Sequence, residues 1–187
     1  MKKRNIALFL ALALVFGVAV GGTIAWLTDK TDEIVNTFTT GNVDIDLTET
    51  TGETYKMIPG IELEKDPTVT VKSGSEPCWV FVKVVETNSP ATYLDYSIDE
   101  AWTALDGVDG VYYIQQDATT ADVPYPVLTG NKVTVNDDIT NTDMDAAEKN
   151  APKLSFTAYA IQQEGFDNVA DAWDAALANA TEYAPTT

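Results

Sequence analysis

Residues 78–86 read Cys-Trp-Val-Phe-Val-Lys-Val-Val-Glu, and no other stretch limits the fold so tightly. In an extended chain Cys78, Val80, Val82 and Val84 fall on one face, and Trp79, Phe81 and Val85 on the other. A strand with one wet face alternates apolar with polar residues. This one is apolar on both, so it must lie inside a sheet covered on both sides or at the centre of a sandwich.

The flanking segments supply the rest of a β-rich domain. In "NVDIDLTE", Val43, Ile45 and Leu47 alternate with Asp44, Asp46 and Thr48, the pattern of a half-buried strand. "TVTVKSG" and "NKVTVND" alternate in the same way, and "TTGETYKMIPGIELEKDP" is turn-rich, with Pro59-Gly60 as punctuation. "AWTALDGVDGVYYIQQ" reads as a hairpin across an Asp/Gly turn. "KLSFTAYAIQ" is a strand with Leu154, Phe156, Ala158 and Ala160 on one face. Two helices are expected. Thr142 and Asp145 stand at capping-box spacing in "TDMDAAEK". In "GFDNVADAWDAALANA" the residues Phe166, Val169, Trp173 and Leu177 make one apolar face, with Asp167 or Asn168 as its cap. About eight short strands with one or two short helices predict a mainly β chain, an antiparallel β-sandwich of jelly-roll type.

The amino terminus has a different plan. Lys2, Lys3 and Arg4 precede the apolar run Ile6–Val20, and Gly21-Gly22-Thr23 thins it out. A basic start, an apolar heart and small residues before a polar stretch are the marks of a secretory signal peptide. Thr23 and Ala25 are small enough for the signal-peptidase pockets, so cleavage is expected between Ala25 and Trp26. An uncleaved anchor is the alternative, since about 20 apolar residues span a bilayer. The expected organisation is residues 1–25 as signal peptide, 26–40 as an N-terminal strand, and 41–187 as the β-sandwich domain, with no stable membrane anchor after cleavage.

Cleavage would leave eight lysines against 29 acidic residues and no arginine. A chain so acidic repels nucleic acid and anionic membranes. The sequence contains no histidine. That removes the usual catalytic base, the Ser-His and Cys-His pairs and the usual zinc ligands. Cys78 is the one cysteine, so no intramolecular disulfide forms, and its place in an apolar strand suits a buried small hydrophobe. No catalytic, cofactor or metal residue is therefore assigned, and no enzyme activity is expected. The acidic run Asn136, Asp137, Asp138, Asn141, Asp143 and Asp145 has calcium-type oxygen ligands but no EF-hand pattern, and it reads as a solvated loop.

The stretch "GGTIAWLTDKTDEIVNTFTTGNVDIDLTE" resembles the N-terminus of proteins processed by the SipW-type signal peptidase of Gram-positive bacteria. "MIPGIELEKDPTVTVKSGSEPCWVFVKV" and "LSFTAYAIQQEGF", with the "AW" that follows, are similar to the TasA/camelysin family. The resemblance implies export, a jelly-roll fold and a subunit of extracellular fibres in the biofilm matrix, joined by donor-strand exchange. Its partners would be the signal peptidase, then further copies of the chain or related matrix proteins. Trp26, Leu27, Ile34, Val35 and Phe38 would be the apolar knobs of the donor strand. They equally suit a first strand of their own domain. Camelysin is described as a cell-surface metallopeptidase, a function poorly served by a chain without histidine. A further alternative is a surface adhesin or glycan-binding module, for which Trp79, Trp102, Trp173, Tyr93, Tyr96, Tyr112 and Tyr113 supply aromatic rings.

Overall fold

The computed structural model describes residues 42–51 and 55–182. The chain divides after Thr39, and all the described residues belong to the second unit. The expected cleavage residues Thr23, Ala25 and Trp26, and the knobs Leu27, Ile34, Val35 and Phe38, lie outside the described residues.

The described chain is mainly β, with every strand pairing antiparallel. Ten strands follow one another: β1 (Ile45–Thr48), β2 (Glu62–Glu64), β3 (Thr68–Val71), β4 (Cys78–Thr87), β5 (Leu94–Asp95), β6 (Thr103–Ala104), β7 (Val111–Gln116), β8 (Val123–Pro126), β9 (Lys132–Val135) and β10 (Lys153–Gln162). Three helices are present among the described residues: α1 (Pro90–Tyr93), α2 (Asn141–Lys149) and α3 (Val169–Glu182). The single-turn α1 is one more than the sequence suggests. The strands form three sheets, ordered β1-β3-β8, β10-β4-β7-β6 and β2-β9-β5.

The doubly apolar run is β4, and both its faces are covered from Cys78 to Val82, while Val85 near its end is exposed. Cys78, Val80 and Val82 meet Val69 and Val71 of β3, with Ile114, Val127 and Trp102, in the core between the first two sheets. Ile45 and Leu47 of β1 and Phe156 and Ala158 of β10 pack against this core. These two sheets are the leaves of a sandwich. On the opposite face Phe81 meets Ala172, Trp173 and Ala176 of α3, with Trp79, Tyr113, Tyr159 and Ile161 around them. Phe81 lies 5.3 Å from the Trp173 ring, and Tyr159 stands edge-on to Trp173 at the same distance. Such edge and tilted geometries match ring quadrupoles. The layers are thus sheet, sheet and helix, with β4 in the middle.

Local chemistry sets the element ends. Asn168 caps α3, its Oδ1 accepting from the Asp171 N–H at 2.9 Å. The box that starts α2 lies two residues earlier than its sequence spacing suggests. Thr140 is the cap, and Asp143 returns the bond to the Thr140 N–H at 2.9 Å. Asp143 rather than Asp145 wins because the chain is already helical from Asn141. Gly110 opens β7 with φ +70°, its carbonyl accepts from Val84 N–H at 2.7 Å, and a Cβ there would meet the Val84 carbonyl oxygen at 2.5 Å. Only glycine serves both needs.

Candidate functional site: an open sheet edge and two clefts

β10 ends its sheet, and β4 alone pairs with it among the described residues. Antiparallel pairing points the N–H and C=O of alternate residues toward the partner and away from it. Just beyond β10, Gln163 N–H donates to Pro77 C=O at 2.8 Å, continuing the β10–β4 register. Odd-numbered residues of β10 therefore face β4. The backbone groups of Leu154, Phe156, Ala158, Ala160 and Gln162 face outward. No proline interrupts this row. Among the described residues this row has no strand partner, and such a row of donors and acceptors is a template for another strand.

β8 ends the first sheet and is built otherwise. Val127 N–H donates to Pro67 C=O at 2.9 Å, which continues the β3–β8 register and turns odd-numbered residues inward. The outward positions are Pro124 and Pro126, which carry no N–H. The outward carbonyl of Pro126 is already used, accepting from Trp102 Nε1 at 2.8 Å. β1 lies on the β10 side. Lys72 N–H donates to Asp44 C=O at 2.9 Å, so Ile45 and Leu47 turn their backbone groups outward. Beyond β1 the chain is clamped by Asp66, which accepts from Thr50 N–H at 2.8 Å, Thr50 Oγ1 at 2.5 Å and Thr51 Oγ1 at 3.0 Å. These bonds hold the Asp66 carboxyl down at about 2.

One cleft borders the start of β10, and a second lies beyond the end of β4. The first, about 480 Å³, is lined by Tyr55, Met57, Leu63, Leu94, Val133 and Leu154 among others, beside the start of β10. Lys65 lies at its wall, 2.7 Å from Glu49 Oε1 and over the rings of Tyr55 and Phe156 at 5.3 and 5.4 Å. The second, about 490 Å³, gathers Glu86 from the end of β4, Asp95 of β5, Tyr96 and Ile98 beyond it, Tyr112 of β7 and Asn136 after β9. Tyr96 donates its hydroxyl hydrogen bond to Glu86 Oε1. Burial first, and the Glu86 carboxylate second, hold the Tyr96 phenol far above its usual range.

The remaining candidates fall into place individually. Cys78 is fully buried, and burial pushes its thiol up to about 11, so it is the inert hydrophobe its strand implies. Of the aromatic residues named from sequence, Trp79 and Tyr113 pair edge-on against the helix layer, while Tyr93, Trp102 and Trp173 are buried. Tyr96 and Tyr112 line the second cleft together. In the acidic run, Asp143 serves the α2 cap. Among the described residues no group of three or more Cys, Asp or Glu side chains is placed to hold a metal ion. What sequence reasoning missed is the edge chemistry of β10 and the convergence of Glu86, Asp95, Tyr96 and Tyr112. The prolines of β8 were the one available signal for the first. Compared with known proteins, the chain matches no family model, no curated protein and no solved structure.

Proposed function

We propose that this chain is an extracellular structural protein, a fibre or pilin-like subunit of the TasA type that assembles by strand addition. The carrying observation is the outward backbone row of β10, from Leu154 to Gln162, beside an apolar cleft. In β-augmentation the main chain supplies affinity and side-chain pockets supply register and choice. The donor in this reading is the segment from Trp26 to Phe38 of a neighbouring copy, freed when a SipW-type signal peptidase cuts after Ala25. Its apolar knobs Trp26, Leu27, Ile34, Val35 and Phe38 would fill the cleft at Tyr55, Met57 and Leu154. The subunit acts without catalysis or cofactor, outside the cell.

The test pairs two variants of the mature chain. Deleting residues 26–38 should leave a folded domain by circular dichroism that forms no fibres by electron microscopy. Ala158→Pro removes an outward N–H and spares the bonds to β4, so it should also fold and fail to polymerise. Normal fibres from both variants would reject the assembly role. Unfolding of the deletion variant would make residues 26–38 a strand of their own domain.

A further inference from the structure

The second cleft has a hydrogen-bonding inventory that selects its ligand. Glu86 and Asp95 offer only acceptors. Asn136 has already committed its amide hydrogens, Nδ2 donating to Thr92 C=O at 3.1 Å and to Ala91 C=O at 3.5 Å, which leaves Oδ1 as an acceptor. Tyr96 has committed its hydroxyl hydrogen to Glu86. Tyr112 keeps the one hydroxyl donor in the lining without a partner among the described residues. No lysine or arginine lines the cleft. It is therefore rich in acceptors, poor in donors and negative. A phosphate, a carboxylate or an acidic glycan would meet unpaired acceptors and like charge, which costs more than it gains. A ligand dense in donors and carrying positive charge meets the opposite situation.

The walls narrow the class further. Leu94 and Ile98 give apolar surface, and the rings of Tyr96 and Tyr112 give flat aromatic surface, beside the carboxylates. Aromatic faces attract cations and pack against C–H groups. A volume of about 490 Å³ lies in the range that holds a small molecule rather than a single side-chain tip. The cleft is also held open by an unusual turn. Asn88 and Ser89 leave β4 with φ of 61° and 53°, both left-handed, and so direct α1 back to place Ala91 in the wall. Two consecutive non-glycine residues in that region carry strain of the kind found at ligand clamps.

We infer that this cleft binds an amino sugar, its protonated amine held by Glu86 and Asp95 and its ring set against Tyr96 and Tyr112. This goes beyond the assembly reading and does not depend on it, because the site is complete within one copy. In a matrix it would give each subunit a grip on a cationic polysaccharide.

The experiment is calorimetric titration of the mature chain at physiological salt with three probes: a glucosamine tetramer, a glucose tetramer and a tetralysine peptide. The glucosamine tetramer should bind one to one and more tightly than either other probe. Glu86→Gln with Asp95→Asn should weaken it by roughly tenfold or more. Asp167→Asn with Asp174→Asn makes the same change of charge on exposed residues at the α3 side and should leave it unchanged. Amide shifts in the unmodified chain should concentrate at Glu86, Asp95, Tyr96 and Tyr112, which keeps the site testable if the cleft variant misfolds. No binding, shifts elsewhere, equal weakening by both double variants, or equal binding of the glucose tetramer or the peptide would each overturn the assignment.

Discussion

Strand β8 closes its sheet with Pro124 and Pro126 at the outward positions, and Trp102 covers the carbonyl of Pro126. Strand β10 closes the facing sheet with ten residues, no proline and a full row of outward donors and acceptors. The two edges border the same core, since Val69 opposite Tyr125 and Val82 opposite Ala158 both pack into it. Natural sheets blunt edges because an open one pairs with whatever strand arrives. Among the described residues the β8 edge follows that practice and the β10 edge does not, as the strand acceptor proposed above would require.

The sharpest way to break the comparison is to exchange neighbours on β10. Thr157→Pro removes an inward N–H and leaves the carbonyl of its partner Lys83 unsatisfied, so it should cost about 3 kcal/mol or more in denaturant unfolding. Ala158→Pro, one residue on, should cost far less while abolishing polymerisation. Equal losses of stability at the two positions would undo the assignment of inward and outward faces. Next in size is Trp102→Phe. It keeps most of the buried ring but uncaps the Pro126 carbonyl, and should cost about 1–3 kcal/mol. Restoring donors to β8 with Pro124→Thr and Pro126→Thr should change stability by less than about 1 kcal/mol. It should nevertheless create a second sticky edge, seen by sedimentation as self-association in the Ala158→Pro background. If the repaired β8 stays monomeric there, the prolines are not what protects that side.

The smallest effect concerns pH. The folded Asp66 carboxyl lies at about 2, below the ordinary 3.8, because Thr50 and Thr51 donate to its charged form. A depressed carboxyl contributes stability that is present above its unfolded value and disappears as pH falls through the folded one. The clamp beyond β1 should therefore loosen between about pH 4 and pH 2. Asp66→Asn should flatten that part of the unfolding-versus-pH curve and lower stability at neutral pH by the same amount, which solvent screening of the carboxylate keeps small.

Much of this fold was legible as alternation. β4 declared itself by being apolar on both faces, and the structure covers both from Cys78 to Val82. The strands around Ile45, Val69, Val133 and Phe156, and the apolar face of α3, follow the same local rule. Pairing is not local. Nothing in "KLSFTAYAIQ" says that its odd-numbered backbone groups meet β4 and that its even ones have no strand partner among the described residues. That depends on register with residues 78–87, far along the chain. The second cleft was invisible for the same reason, because Glu86, Asp95, Tyr112 and Asn136 come from four separate segments. At α2 the spacing of Thr142 and Asp145 was a real signal defeated by an equally good one two residues earlier, Thr140 with Asp143.

The central place of β4 also has a consequence in time. Its two neighbours are β7 and β10, both made later, and Cys78 waits for Gln116 and Gln162 before it is flanked. The strand that holds the layers together thus cannot be completed until nearly all of the chain is available, and such distant pairings form slowly. Under the export reading proposed above, that delay would keep the chain loose while it crosses a membrane, and the outward row of β10, the last strand among the described residues, would be the last edge to form.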